Sequence, residues 1–132
     1  MLFSMSGTFR TFTLLLVLAL PSLGEVRESE VTYEAGSVTA RAFLALPEAE
    51  GTYPGVLVVH EWWGLNDYAR KRARMLAEEG YAALAVDMYG DGRTADDPTE
   101  ATALMLTVRN KPGEHTARFR AAMKFLQGQD EV

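Results

Sequence analysis

Residues 55–66 read GVLVVHEWWGLN, and the point where this run changes character decides the architecture. Gly55 to Val59 is apolar at nearly every position, so neither face of the segment suits water. A strand buried on both faces belongs to a parallel sheet covered by helices. The apolar run stops at His60, and an imidazole, a carboxylate, two indoles and Gly64 follow before any helix can begin. Asn66 or Asp67 then offers a cap for a helix over 68–79, YARKRARMLAEE, which Gly80 ends. Ala69, Arg72, Ala73, Leu76 and Ala77 fall near one face of that helix, with Lys71, Arg74 and Glu78 mostly outward. Residues 81–86, YAALAV, form a second buried strand. The unit 55–86 therefore predicts two parallel strands joined by a right-handed helical crossover.

Working outward, residues 28–35 (ESEVTYEA) and 37–46 (SVTARAFLAL) alternate apolar and polar positions about Gly36, the pattern of an antiparallel pair at a sheet edge. Residues 47–54 are a turn-rich connector. Beyond the second buried strand, a loop over 87–98 carries two glycines and several acids, and helices are expected over 99–108 and 114–127, separated by Lys111-Pro112-Gly113. The order ββ-β-α-β-α-α is that of an α/β fold. A parallel sheet normally continues with another strand after its last helix, so this order reads as the opening of a larger domain.

Residues 1–24 hold Arg10, the apolar run FTLLLVLAL and the small-x-small triplet Ser22-Leu23-Gly24, the layout of an export leader cleaved after Gly24. The alternative, a retained anchor, meets the difficulty that the apolar stretch is shorter than the ~17 to 25 residues of a spanning helix. The expected domain is then 25–132, exported to the periplasm or medium, with no stable membrane span after cleavage. Without Arg10 the remainder carries 12 basic and 18 acidic side chains, net −6, which gives no support to nucleic-acid binding. Cysteine is absent, excluding disulfides, thiolate metal sites and a cysteine nucleophile from these residues.

Two motifs invite cofactor readings, and both conflict with their own physical requirements. His60-Glu61 opens like the zinc motif H-E-x-x-H, but the fifth position is Gly64 and the segment ends a strand instead of lying on a helix. Gly90 to Ala95 matches G-x-G-x-x-A after a strand, yet Asp91, Asp96 and Asp97 crowd a site that should receive a pyrophosphate, and Pro98 interrupts it. Neither a metal nor a bound cofactor is expected. The ends of parallel strands are where open α/β sheets place ligands, so Glu61 and the 87–93 loop should open on one edge. A carboxylate among aromatic rings would be partly desolvated and suited to acid–base work. The residues alone leave this open against a solvated Glu61, with Trp62 and Trp63 as simple core anchors.

The segment VVHEWWGLN, the basic amphipathic helix after it and GYAALAVDMYGDG together resemble the dienelactone hydrolase family of α/β-hydrolases over about residues 28–128. The resemblance implies the front half of an α/β-hydrolase sheet, an antiparallel edge pair followed by parallel βαβ. It also implies hydrolysis of a small-molecule carboxylic ester or lactone, carboxymethylenebutenolidase-like, by a nucleophilic acyl-enzyme mechanism. Glu61 would tune the nucleophile, and the Trp62 backbone N–H would supply half of the oxyanion hole. Asp87 and Tyr89 match a strand-end motif with a mainly structural role. Trp63 is a candidate substrate contact.

The departures are equally specific. The family's nucleophile elbow, G-x-C-x-G or G-x-S-x-G, follows the helix that ends here near Gln127, and no serine or cysteine occurs after Ser37. The chain therefore reads as truncated before the elbow strand and catalytically silent alone. His60 and His115 do not match the family's histidine and are read as a strand-end residue with a local hydrogen bond and an exposed first-turn residue. The expected helix over 99–108 lacks the basic and phenolic side chains that hold a dienelactone carboxylate, which leaves Arg93 as the candidate substitute. Strand 55–59 would lose its neighbour, and self-association through its unpaired edge is the expected consequence. The rival reading is a non-catalytic binding protein that retains half of the fold.

Overall fold

The structure, a computed structural model, describes residues 24–132; the expected leader over residues 1–24 lies, but for Gly24, outside the described residues. Seven elements follow in order: β1 (Val26–Ala35), β2 (Val38–Pro47), β3 (Gly55–Val59), α1 (Asp67–Glu78), β4 (Ala82–Val86), α2 (Pro98–Arg109) and α3 (Glu114–Gln127). The sheet order is β1-β2-β4-β3. β1 and β2 pair antiparallel over their whole length, from Val26 opposite Pro47 to Ala35 opposite Val38. Their two-residue loop has a positive φ of 68° at Gly36 and none at Ser37, as a type II′ hairpin turn requires. β2 crosses antiparallel onto β4 through Phe43, Leu44 and Ala45, and β3 lies parallel to β4 from Gly55 opposite Ala82 to Val59 opposite Val86.

Side-chain alternation on β2 and β4 divides the core into two layers. Ala42, Leu44, Leu46, Ala82, Leu84 and Val86 pack with Ala122 and Leu126 of α3, while Phe43, Ala45, Ala83 and Ala85 pack with Ala69, Ala73 and Ala77 of α1. Small residues at four-residue spacing let α1 approach the alanine-rich face of β4 closely. Asn66, not Asp67, caps α1, its side chain accepting from Tyr68 and Ala69 N–H at 3.1 and 3.3 Å. The helix ends in a Schellman motif: Gly80 at φ 90° donates to Ala77 and Tyr81 donates to Leu76.

Three expectations are corrected. β3, expected to be buried on both faces, is exposed at Gly55 and at Val59 (49%), because among the described residues only β4 pairs with it, the unpaired edge that the truncated reading implies. In α1, Arg72 is exposed, whereas Arg74 turns back to Glu28 with its guanidinium 4.8 Å from the Phe43 ring centroid. That ring lies under both Arg74 and Arg70, so arginine side chains cover this part of the sheet. Finally, α2 runs from Pro98 to Arg109 instead of 99–108, with Asp97 as its N-cap and Pro98 in the first turn, where a missing N–H is harmless.

Candidate active site

The loops after β3 and β4 leave the same sheet edge and are bonded to each other along their length. His60 Nδ1 donates to the Glu61 carbonyl at 2.6 Å, and His60 Nε2 accepts the Met88 N–H at 3.1 Å. A carbonyl can only accept and an amide N–H can only donate, so these partners select a neutral ring protonated at Nδ1. Burial pushes the His60 pKa down, in keeping with that form. The Tyr89 ring lies 4.7 Å from the imidazole between centroids, and its hydroxyl donates to the Trp62 carbonyl at 2.8 Å. The Trp63 carbonyl accepts from Ala95 N–H at 3.0 Å, and Gly64 bridges Thr94.

Residues 61–64 thus form a turn closed by a long Gly64 N–H to Glu61 carbonyl bond of 3.4 Å. Gly64 has φ 88°, and a Cβ there would stand 2.5 Å from the Arg93 carbonyl oxygen. Only glycine permits both the backbone conformation and the approach of the two loops.

Asp87 organises the second loop. It is fully buried, and its carboxylate accepts four backbone N–H groups, from Arg41 (3.0 Å), Tyr89 (3.2 Å), Gly90 (2.7 Å) and Gly92 (2.8 Å). Gly90, Asp91 and Gly92 are all left-handed, which turns these amides inward. The loop amides that a phosphate would need are therefore already engaged by a carboxylate, the physical reason the G-x-G-x-x-A pattern here is a strand-end clamp.

A cleft of about 520 Å³ lies over this edge, within the usual size of a small-molecule site. His60, Glu61, Trp62, Met88 and Tyr89 line one side; Met105, Val108 and Arg109 of α2 and His115 of α3 line the other. Trp62 is 40% exposed, and among the described residues its backbone N–H has no acceptor. The wall holds no serine, threonine or cysteine. No cluster of three or more metal-ligating side chains occurs among the described residues.

The sequence-predicted residues divide between the cleft and its surroundings. Glu61 and Trp62 are brought to the cleft together. Trp63 lies outside its wall, its ring tilted at 51° to that of Trp62 with centroids 5.4 Å apart. Arg93 is also outside, where its guanidinium bonds the carbonyls of Tyr89 and Gly90 and so holds its own loop. The cation on the wall is instead Arg109, which sequence reasoning missed by ending α2 one residue early. Met88, Met105 and Val108 carried no sequence signal for a wall position.

The chain is similar to known proteins. The family model described as "Dienelactone hydrolase family" matches residues 40–132. The protein usf of Aquifex pyrophilus is 37% identical over 101 residues, covering 74% of this chain and 42% of its own length. Among solved structures, m3DLH is 41% identical with a TM-score of 0.75, covering 81% of this chain and 45% of that one. The dienelactone hydrolase-like promiscuous phosphotriesterase P91 from metagenomic libraries is 34% identical with a TM-score of 0.76, covering 83% and 46% respectively. The chain spans less than half the length of each of these proteins. The match takes in β2 from Ala40 onward, the parallel pair, both strand-end loops and the helices that wall the cleft, so the chain belongs to the dienelactone hydrolase family.

Proposed function

We propose that this chain supplies one half of an esterase site: Glu61 tunes a nucleophile, and the Trp62 N–H is one donor of an oxyanion hole. With a nucleophile, acid and histidine added, the site hydrolyses a carboxylic ester or lactone through an acyl-enzyme. The reading is supported by Glu61 and Trp62 lining one cleft, by a Trp62 N–H without an acceptor among the described residues, and by the hold of His60 and Tyr89 on their turn. Oxyanion donors must be fixed before the reaction to stabilise developing charge, and this turn is fixed by its neighbours. The substrate-facing cation in this reading is Arg109, and the apolar wall receives the acyl group.

Attack on a carbonyl in this family needs a serine hydroxyl or cysteine thiol, and the cleft wall holds neither, while its one hydroxyl, on Tyr89, is engaged by the Trp62 carbonyl; the 132-residue chain by itself is therefore expected to give no ester turnover. A chromogenic ester assay on the purified chain tests this. Turnover that disappears in Glu61→Gln would reveal a nucleophile the reading lacks and overturn it. Export through residues 1–24 belongs to the same proposal and rests on their leader-like pattern. N-terminal sequencing of the mature protein should then begin at Glu25, and an intact Met1 would sink that part.

The edge of β3, unpaired among the described residues, supports a second element of the proposal, self-association of this chain, because exposed strand edges flanked by apolar surface pair readily.

A further inference from the structure

Arg118 in α3 is 1% exposed, and the chemistry proposed above makes no use of it. Its Nε and one Nη donate to Glu114 Oε1 at 3.0 and 2.8 Å, and its other Nη donates to the Met88 carbonyl at 2.8 Å. Glu114 Oε1 is itself anchored to the β1–β2 turn, accepting the Ser37 N–H at 3.1 Å and the Ser37 hydroxyl at 2.7 Å. The guanidinium therefore reaches from a fixed hairpin to the strand-end loop. Met88 is held from both sides, because its N–H donates to His60 Nε2. His60 Nδ1 in turn donates to the Glu61 carbonyl. That carbonyl and the Trp62 N–H belong to one planar peptide unit, so fixing the oxygen fixes the direction of the N–H.

We infer that Arg118 is a positioning residue for the oxyanion donor: it holds the Met88 carbonyl and so fixes the Met88 backbone, the Met88 N–H on the other side of that residue holds His60 as the Nδ1-protonated tautomer, and His60 orients the Glu61–Trp62 peptide. The last link rests on the reading of Trp62 N–H given above. The links from Arg118 to His60 stand independently of any esterase activity. A purely structural Arg118–Glu114 pair would tie α3 to the hairpin and leave the imidazole indifferent to the arginine.

Long-range ¹H–¹⁵N spectra of the imidazoles in the full 132-residue chain separate the two. In the wild-type chain His60 is expected to be protonated at Nδ1 and bare at Nε2. Arg118→Met should move it to a mixture of tautomers, raise its titration midpoint toward that of an exposed imidazole and shift the Trp62 amide resonance. Arg118→Lys, which retains a donor for the Met88 carbonyl, should restore much of the wild-type signature. A folded Arg118→Met chain with an unchanged His60 overturns the inference. If that variant does not fold, Glu114→Gln gives the second reading: it weakens the anchor of Arg118 but keeps the guanidinium, so a partial tautomer shift is expected and an unmoved His60 is fatal. A wild-type His60 protonated at Nε2 overturns the relay before any variant is made. An altered tautomer with an unmoved Trp62 amide leaves the relay standing and rejects only its link to the oxyanion donor.

Discussion

At the residue scale, one glycine carries the approach of the two loops. Gly64 combines φ 88° with a hypothetical Cβ only 2.5 Å from the Arg93 carbonyl, whereas Gly80 has φ 90° with nothing within 4 Å. Both positions strain an L side chain, but only the first also collides with backbone. Gly64→Ala is therefore expected to destabilise the chain by at least ~2 kcal/mol, and Gly80→Ala by about 1 kcal/mol. Urea unfolding of the two variants measures the difference, and equal midpoints would show that the loop contact yields freely. The site itself was legible in the sequence to the same uneven degree. Glu61 could be placed because a strand must end where its apolar run ends, and a parallel strand's end is a ligand edge; Trp62 was singled out only by the family resemblance. Arg93 and Trp63 could not be placed by that logic. Positions on a loop are set by which carbonyls and rings the turn presents to them, and those partners, Tyr89, Gly90 and Trp62, lie on backbone whose path has no periodicity to read.

At the element scale, α3 joins the sheet through a polar clamp as well as an apolar face. The Glu114 carboxyl is held well below its ordinary value of 4.5, at about 2, chiefly by the Ser37 hydroxyl and next by Arg118. A folded-state value depressed in this way contributes stability that is complete above about pH 4.5 and lost as the pH falls from there through about 2. Glu114→Gln should accordingly lower the melting temperature at neutral pH and flatten its fall between pH 4.5 and 2. Parallel melting curves of both chains across that range would disprove the clamp. The helix was legible because its end signals are local: Gly113 before it, Gly128 after it and an apolar stripe between. Its clamp was legible only as an i,i+4 pair of opposite charges, a pattern that on most helices is a solvated surface contact. What makes it different is that Arg118 faces the loop after β4, and that contact joins residues 30 apart in sequence. The strands followed the same division: alternation located β1 and β2, and the uninterrupted apolar runs located β3 and β4, but an apolar run does not say how many neighbours a strand has.

At the scale of the whole molecule, the edge of β3, unpaired among the described residues, has a physical consequence. β3 has a groove on each side of its edge, one formed with Tyr68, Arg72 and Leu76 of α1, mixed in character, and a mainly apolar one with Phe119, Met123 and Val132. Tyr68, Phe119 and Met123 are 56%, 42% and 42% exposed, so the edge lies in a band of apolar surface and not as an isolated strand. Such a band, with unpaired N–H and C=O groups along its centre, is the surface that native sheets otherwise cover or charge. Two copies can pair β3 antiparallel about a two-fold axis, which sets α3 beside α3 and α1 beside α1 and covers like with like. The proposed self-association should show in sedimentation velocity as a weight-average mass that rises with concentration. Val59→Lys places a charge on the strand at a position already 49% exposed, so it should abolish the rise while leaving the melting temperature of the dilute protein nearly unchanged. A wild-type chain that sediments as a monomer at every concentration would refute the pairing. A Val59→Lys chain that associates as strongly as the wild type would move the contact away from β3, to the helix faces that flank it.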